Sequence, residues 1–375
     1  MDQISLVPQA PPHLPVAFSG DRKQFFRLVL RGAGLELITV GFYRFWLATD
    51  IRRHLWSNTL IDGDAAEYTG RAKELLIGFL FALAIIVPVY LAYLLASLEA
   101  ERVKAFASFP LLAFFYLFGQ FAIYRARRYR LTRTVWRGVR FWMSGSGWAY
   151  AARAALWAML VGLTLGLLLP WREAALERYK MRHSYYGDLQ GSFEGRGSEF
   201  FKRGWWLWLL APLYVTPLGP FVYGAFKAVE WQWWLSGIRF GDVRLESTMP
   251  RGALIGLYWK FIGWLLLLGL AFSVYVGACT ALTISLSGVP ADQFFGPHMS
   301  ARNIPFLVLV GIGYLGFALA INVLMRVYLM RDLWVRVLAS TNVHGIEAAA
   351  NVSARGDLAS ALGEGIADGL DVAGF

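Results

Sequence analysis

Along the chain, long uncharged stretches alternate with compact charged ones. Leu75–Leu98 has 24 residues without a charge, Ala105–Tyr124 has 20, Phe261–Ala291 has 31 and Asn303–Met325 has 23. Each reaches the roughly 18–20 residues that a helix needs to cross a hydrocarbon core about 30 Å thick. Four spans are predicted, at about 75–98, 105–124, 261–286 and 303–326. Three further apolar segments are shorter or broken. Phe25–Trp46 is interrupted by Arg27, Arg31 and Glu36, Ala154–Trp171 is short, and Gly204–Phe226 holds Pro212, Pro217 and Pro220.

The charged stretches that follow the apolar runs resemble one another. Five segments align without a gap, at 53–70, 128–145, 178–195, 230–247 and 334–351. Their first column holds Arg53, Arg128 and Arg178, their last holds Gly70, Gly145 and Gly195, and the seventh holds Thr59, Thr134, Ser184, Ser236 and Ser340. Turn pairs Asp62-Gly63, Gly187-Asp188 and Gly241-Asp242 lie between short aromatic or β-branched runs. The pattern predicts a helix end followed by a small β-hairpin in each copy. The hydroxyl column has a structural explanation, because Ser and Thr bond nearby backbone where a helix gives way to a turn.

Wide gaps between copies hold two apolar runs each and read as membrane hairpins. Narrow gaps hold one short segment, and residues 171–204 carry seven Lys and Arg. The positive-inside rule places such a basic loop in the cytoplasm. Segments that dip into the bilayer and return keep all five copies on one face, whereas the rival topology has seven spans. The expected fold is an all-α polytopic membrane protein with internal helix-plus-hairpin repeats on the cytoplasmic face. Residues 1–20 read as a flexible N-terminus without signal-peptide character, 21–351 as the membrane domain and 352–375 as a cytoplasmic tail.

Composition changes the picture in two ways. With 57% hydrophobic, 16% aromatic and 16% charged residues, an ordinary soluble domain is excluded. The excess of 36 Lys and Arg over 25 Asp and Glu would suggest nucleic acid in a soluble chain. Beside apolar runs, the interleaved Trp136, Trp142 and Trp148 are better read as an interface belt than as a base-stacking surface. No nucleic-acid partner is expected.

The arginines are the chemical candidates. Arg102 to Arg172 contains no Asp or Glu, and from Arg125 to Arg153 it holds eight arginines and no lysine. A juxtamembrane arginine attracts anionic lipid by about 1 kcal/mol, and its planar fork suits phosphate. Arg53, Arg128, Arg133, Arg137 and Arg178 are the expected contacts to an anionic headgroup or another amphipathic anion, against the plainer reading that they only orient the chain. Membrane lipids are the expected partners, and an oligomer or protein partner stays open.

Catalytic patterns are missing. The five histidines show no metal-ligand spacing, Ser144 and Ser146 do not match the G-x-S-x-G elbow, and Gly363-Glu364-Gly365 lacks the third dinucleotide glycine. The lone Cys279 excludes an intrachain disulfide. The expectation is a non-enzymatic protein without metal or cofactor. A transporter or channel using the broken segments is the alternative, and a membrane enzyme or a scaffold ranks lower.

Several stretches also resemble a known family. Thr39–Trp46, Arg128–Gly138, Glu177–His183 with Tyr186-Gly187-Asp188, Trp231–Asp242 and Ala361–Phe375 are similar to the YjgN family, over almost the whole chain from about Phe18. The resemblance implies a multi-pass protein of the bacterial inner membrane and carries over no catalytic residue. One departure is that the first apolar segment, Phe25–Trp46, is less continuous than the family's.

Overall fold

The computed structural model describes residues 14–99, 104–287, 304–356 and 358–359. A short N-terminal strand, β1 (Leu14–Pro15) and β2 (Ala17–Phe18), leads into five units. Each unit is a helical hairpin that returns to a small β-element. The first has α1 (Arg22–Ile38), α2 (Arg44–Ser57), β3 (Thr59–Ile61), β4 (Asp64–Ala65) and β5 (Glu67–Tyr68). The second has α3 (Ala72–Glu99), α4 (Lys104–Thr132), β6 (Thr134–Trp136) and β7 (Val139–Met143). The third has α5 (Gly147–Leu163), α6 (Leu169–Arg182), β8 (Ser184–Tyr186) and β9 (Leu189–Phe193), and the fourth α7 (Gly197–Leu209), α8 (Gly219–Gly237), β10 (Ile238–Phe240) and β11 (Val243–Ser247). The fifth has α9 (Ile255–Ser287), α10 (Ile304–Met325), a π-helical stretch over Arg326–Asp332, α11 (Leu333–Ala339) and a single strand, β12 (Thr341–His344).

The strands do not remain separate hairpins. Each second strand pairs first with its own partner and then with the first strand of the next unit: Val139 and Arg140 face Trp136 and Val135, while Phe141–Met143 face Tyr186–Ser184. The result is one antiparallel sheet of nine strands in the order β1-β12-β11-β10-β9-β8-β7-β6-β5, and a second of β2-β3-β4. The two are continuous. The Val16 N–H between β1 and β2 donates to Thr341 O at 3.0 Å, and the Ala66 N–H between β4 and β5 donates to Thr59 O at 3.2 Å. Residues 14–18 therefore lie between β12 and β3, and the sheet closes into a ring. This corrects the all-α expectation. An antiparallel hairpin leaves two open edges, and here each edge is satisfied by the next unit.

One backbone hydrogen bond recurs at each junction. It runs from Ser19, Thr69, Ser144, Glu194 and Thr248 N–H to Asn58, Arg133, His183, Gly237 and Ser340 O, at 2.8–3.0 Å. The fifth β-element is thus assembled from both ends of the described chain: β12 supplies one strand and residues 14–18 the other.

Inside the ring a cluster draws on every unit. Val16, Trp136, Tyr186 and Val343 are buried with Ile346 and Ala349, against Ile61, Phe141 and Phe240. Residues after β12 thus fill one end of the ring, and Val352 joins them. The start of the segment expected as a tail is held by the β8–β9 turn and the end of α4: Ser353 N–H donates to Asp188 Oδ1 at 3.1 Å and Ala359 N–H to Thr132 Oγ1 at 3.4 Å. Residues 1–13 and 360–375 lie outside the described residues.

Above the ring the helical hairpins also close a circle, with α2 on α3, α4 on α5, α6 on α7, α8 on α9 and α10 on α1. Among the described residues, four helices are long and apolar enough to cross a membrane, at Ala72–Leu95, Phe109–Thr132, Ile255–Leu286 and Ile304–Ala339. They belong to the second and fifth units, and they make the chain a helical membrane protein.

The other three hairpins turn early. Two use the same break. Val40 and Gly41 have φ of 51° and 87°, and Leu165 and Gly166 have 48° and 91°. Before each stands a threonine that seals the turn. Thr39 Oγ1 donates to Leu35 O at 2.8 Å and accepts from Tyr43 N–H at 2.9 Å, and Thr164 Oγ1 does the same with Leu160 O and Leu168 N–H at 2.9 and 3.3 Å. Asp21 and Ser146 cap the helices that lead into these turns.

Candidate functional site

Of the five expected arginines, Arg53, Arg128, Arg133 and Arg178 lie on or just after helices leading to the ring, and Arg137 lies at a strand turn. Arg53, near the end of α2, is exposed and its Nη2 donates to Gly70 O at 3.0 Å. Arg178 is exposed on α6. Arg128, on α4, buries its Nε with no hydrogen-bond partner.

The other two are engaged within the protein. Arg133 pairs with Glu74 at 2.9 Å and lies 5.2 Å from the centre of the Tyr129 ring. Arg137, at the β6–β7 turn, reaches across to the first unit, with Nη2 2.6 Å from Asp62 and Nε 2.5 Å from Asp64. Those two carboxylates raise the Arg137 pKa, the Asp64 bond contributing most. An anion would have to compete with these partners.

The hydroxyl column tracks the strand starts. Strands begin at Thr59, Thr134 and Ser184, but at Ile238, two residues after Ser236, and at Thr341, one after Ser340. Thr59, Thr134, Ser184 and Thr341 each donate to the carbonyl four residues back, at 2.7–2.8 Å. Ser236 Oγ instead accepts from Ser247 N–H at 3.1 Å, and Ser340 donates to Val337 O at 2.8 Å. Trp56 Nε1 donates to the Thr134 hydroxyl and Trp334 Nε1 to that of Thr59, at 3.0 and 3.1 Å, with the two indoles stacked 5.3 Å apart. These hydroxyls thus tie a helix end to the neighbouring unit.

The structure also brings together groups that the sequence reading did not join. Arg53 lines a pocket of about 320 Å³ with Arg71 and Lys73, at the start of α3, and with Asp50, Thr49 and Trp46 of α2. Its cations outnumber its carboxylates three to one. Glu74, the next residue along α3, turns away: Arg133 holds it, and the Tyr129 hydroxyl donates to it at 2.7 Å. Arg71 and Lys73, within four residues of the apolar run that starts at Leu75, were the available signal, since a span entry is where lysine and arginine meet headgroups.

A larger pocket of about 710 Å³ lies at the third and fourth units, with Arg196, Arg203 and Arg239 against Glu194 and Glu199. It is less clearly an anion site. Arg239 Nε already pairs with Glu194 at 3.2 Å, and its Nη1 donates to Ser236, Ile238 and Leu245 carbonyls.

Between α4 and α6 a buried ion pair joins the second and third units. Glu177 meets Arg127 at 2.6 Å and Lys180 at 2.5 Å. Burial acts to raise its pKa, but the two cations overcome that and hold it at about 2. The arrangement is structural, since the one buried carboxylate is held by both cations.

His54 is buried against Phe25, His183 Nδ1 lies 2.7 Å from Tyr179 O and His344 Nε2 2.9 Å from Glu246. Among the described residues no three His, Cys, Asp or Glu converge as a metal site. Cys279 is buried in α9. Trp142 stacks on Tyr185 at 4.2 Å and its Nε1 donates to Gly187 O at 2.5 Å, so this indole of the expected belt holds β7 against β8.

Residues 13–369 match a family described as "Bacterial protein of unknown function (DUF898)". No curated protein and no solved structure matches the chain.

Proposed function

Starting from the chain's membership of the DUF898 family of bacterial proteins of unknown function, we propose that it is a non-enzymatic, multi-pass protein of the inner membrane that binds an anionic, phosphate-bearing lipid headgroup at the entry of α3. The motifs quoted above support reading it as a YjgN-family protein. The ring faces the cytoplasm in this reading, and the five units are copies of one repeat.

The observation that carries the proposal is the convergence of Arg53, Arg71 and Lys73 on one pocket beside Ala72, where a membrane-length helix begins. Three cations against Asp50 suit a phosphate, and Arg53 offers a guanidinium fork. The position suits a lipid, because a headgroup bound there has its acyl chains alongside α3. Arg178 and Arg128 remain secondary contacts, while Arg133 and Arg137 serve the fold.

Native mass spectra of the full chain, released gently from bilayers containing phosphatidylglycerol and phosphatidylethanolamine, test this. The expected result is a discrete phosphatidylglycerol adduct on the wild type that is absent from the Arg53→Gln/Arg71→Gln/Lys73→Gln variant. Equal retention by both would return these cations to a purely topological role.

A further inference from the structure

All five β-elements enter the ring in the same register, through the same recurring hydrogen bond. Their helical hairpins therefore leave the ring on one side. The two hairpins α3–α4 and α9–α10 hold the membrane-length helices, so the other three enter the same leaflet beside them.

Those three end within it. The charge-free stretches at their tips are 37–43, 154–171 and 204–226, bounded by Glu36 and Arg44, Arg153 and Arg172, and Arg203 and Lys227. From Arg153 to Leu163 the helix rises only about 15 Å, half of a core about 30 Å thick. The tips are apolar and bare: Val40 is 88%, Leu165 96% and Val215 95% exposed. Two independent features point to acyl chains as the cover. The tips project in the same direction as the membrane-length helices, and the Thr39 and Thr164 hydroxyls satisfy backbone groups at the turns, which a backbone in hydrocarbon requires.

The two leaflets then carry unequal loads. The leaflet next to the ring holds the four membrane-length helices, which continue into the other leaflet, and beside them the charge-free parts of α5 (154–163), α7 (204–209) and α8 (219–226), which do not. At a diameter of about 10 Å each helix covers about 80 Å², so three extra helices add about 240 Å² to one leaflet. We infer that the protein is a one-leaflet wedge, which favours and stabilises membrane that is convex on the side of the ring. The property depends on hairpin length and is separate from any headgroup preference.

The full chain, fluorescently labelled and reconstituted in giant vesicles of uncharged lipid, gives the test when thin tubes are drawn from the vesicles. Orientation is read with a membrane-impermeant quencher. Molecules with the ring outside are expected to be several-fold denser on the tube than on the flat parent membrane, and those with the ring inside to be depleted. Equal partition in both orientations overturns the wedge. The Val40→Asn/Leu165→Asn/Val215→Asn variant keeps a residue type that tolerates positive φ at the first two sites, and it should remain carbonate-resistant with sorting close to unity. Undiminished sorting by that inserted variant also overturns the proposal, and if it does not insert, the wild-type orientation contrast decides alone. Uncharged lipid keeps the result distinct from the anionic-headgroup test.

Discussion

The β-ring and the helical circle above it are built by the same five stretches of chain, yet one is nearly uniform and the other is not. In the ring, every junction repeats one hydrogen bond within 0.2 Å. In the helical layer, the second and fifth units hold membrane-length hairpins, and the other three hold hairpins whose helices have 13–19 residues. A closed sheet has no free edge, so changing one strand's register would unpair two neighbours. A helix satisfies its own backbone, so its far end can lengthen or stop without disturbing the unit beside it.

The largest effect is expected from opening the ring. Deleting residues 14–18 would expose the edges of β12 and β3 and remove Val16 from the shared core. The variant should fail to give a monodisperse folded protein in detergent, whereas a cooperative wild-type-like melt would show that the fifth junction is dispensable.

Next comes the buried contact between the second and third units. Glu177→Gln leaves Arg127 and Lys180 without their carboxylate, a change that typically costs about 3–5 kcal/mol. The wild-type pKa lies below its ordinary 4.5. The Glu177 contribution is therefore fully present above about pH 4.5 and is lost as pH falls toward about 2. Thermal unfolding across that window should show an acid-induced loss in the wild type that is blunted in the variant; parallel pH profiles would place the acid sensitivity elsewhere.

A smaller loss is expected at the ring's outer turn. Gly187 has φ of 55°, and a Cβ there would press on Val352 and the Ser353 carbonyl. Gly187→Ala should cost about 1–3 kcal/mol, with increased proteolysis after residue 350 as the local readout. Unchanged proteolysis would show that the 352–359 segment does not depend on this approach. The smallest effect belongs to Arg137→Gln. Its ion pairs are a third to a half exposed, so a melt should shift by no more than about 1 kcal/mol.

Much of the helical layer was legible in the chain. The uncharged runs correspond to the four long helices because a membrane-length helix needs only consecutive apolar residues, a local property. The turns at Asp62-Gly63, Gly187-Asp188 and Gly241-Asp242 were visible for the same reason: left-handed backbone needs glycine nearby. The ungapped alignment ran two residues ahead of the strand start in the fourth copy and one ahead in the fifth, because Ser236 and Ser340 stand before the structural position taken by Ile238 and Thr341. The partner of β12 was hidden, since Leu14–Phe18 lies more than 300 residues away and its few residues carry little pattern of their own.

The arginines show the same division. Their abundance and their place beside apolar runs were plain, but their availability was not. Arg137 is matched by Asp62 and Asp64 from another unit, and Arg53 gains Arg71 and Lys73 across a helix junction. Charge density can be counted along a chain, whereas a free charge is known only once its neighbours have been brought together.

By itself, the sequence determined a helical membrane protein with charged helix ends and tight turns, because hydrophobic length, turn chemistry and charge act over a few residues. Tertiary structure alone decided that the turns close into a ring, that the N-terminal strand completes it, and which cations are left facing a pocket. Those outcomes depend on edges and side chains meeting across units, and their partners are chosen by the closed geometry rather than by proximity along the chain.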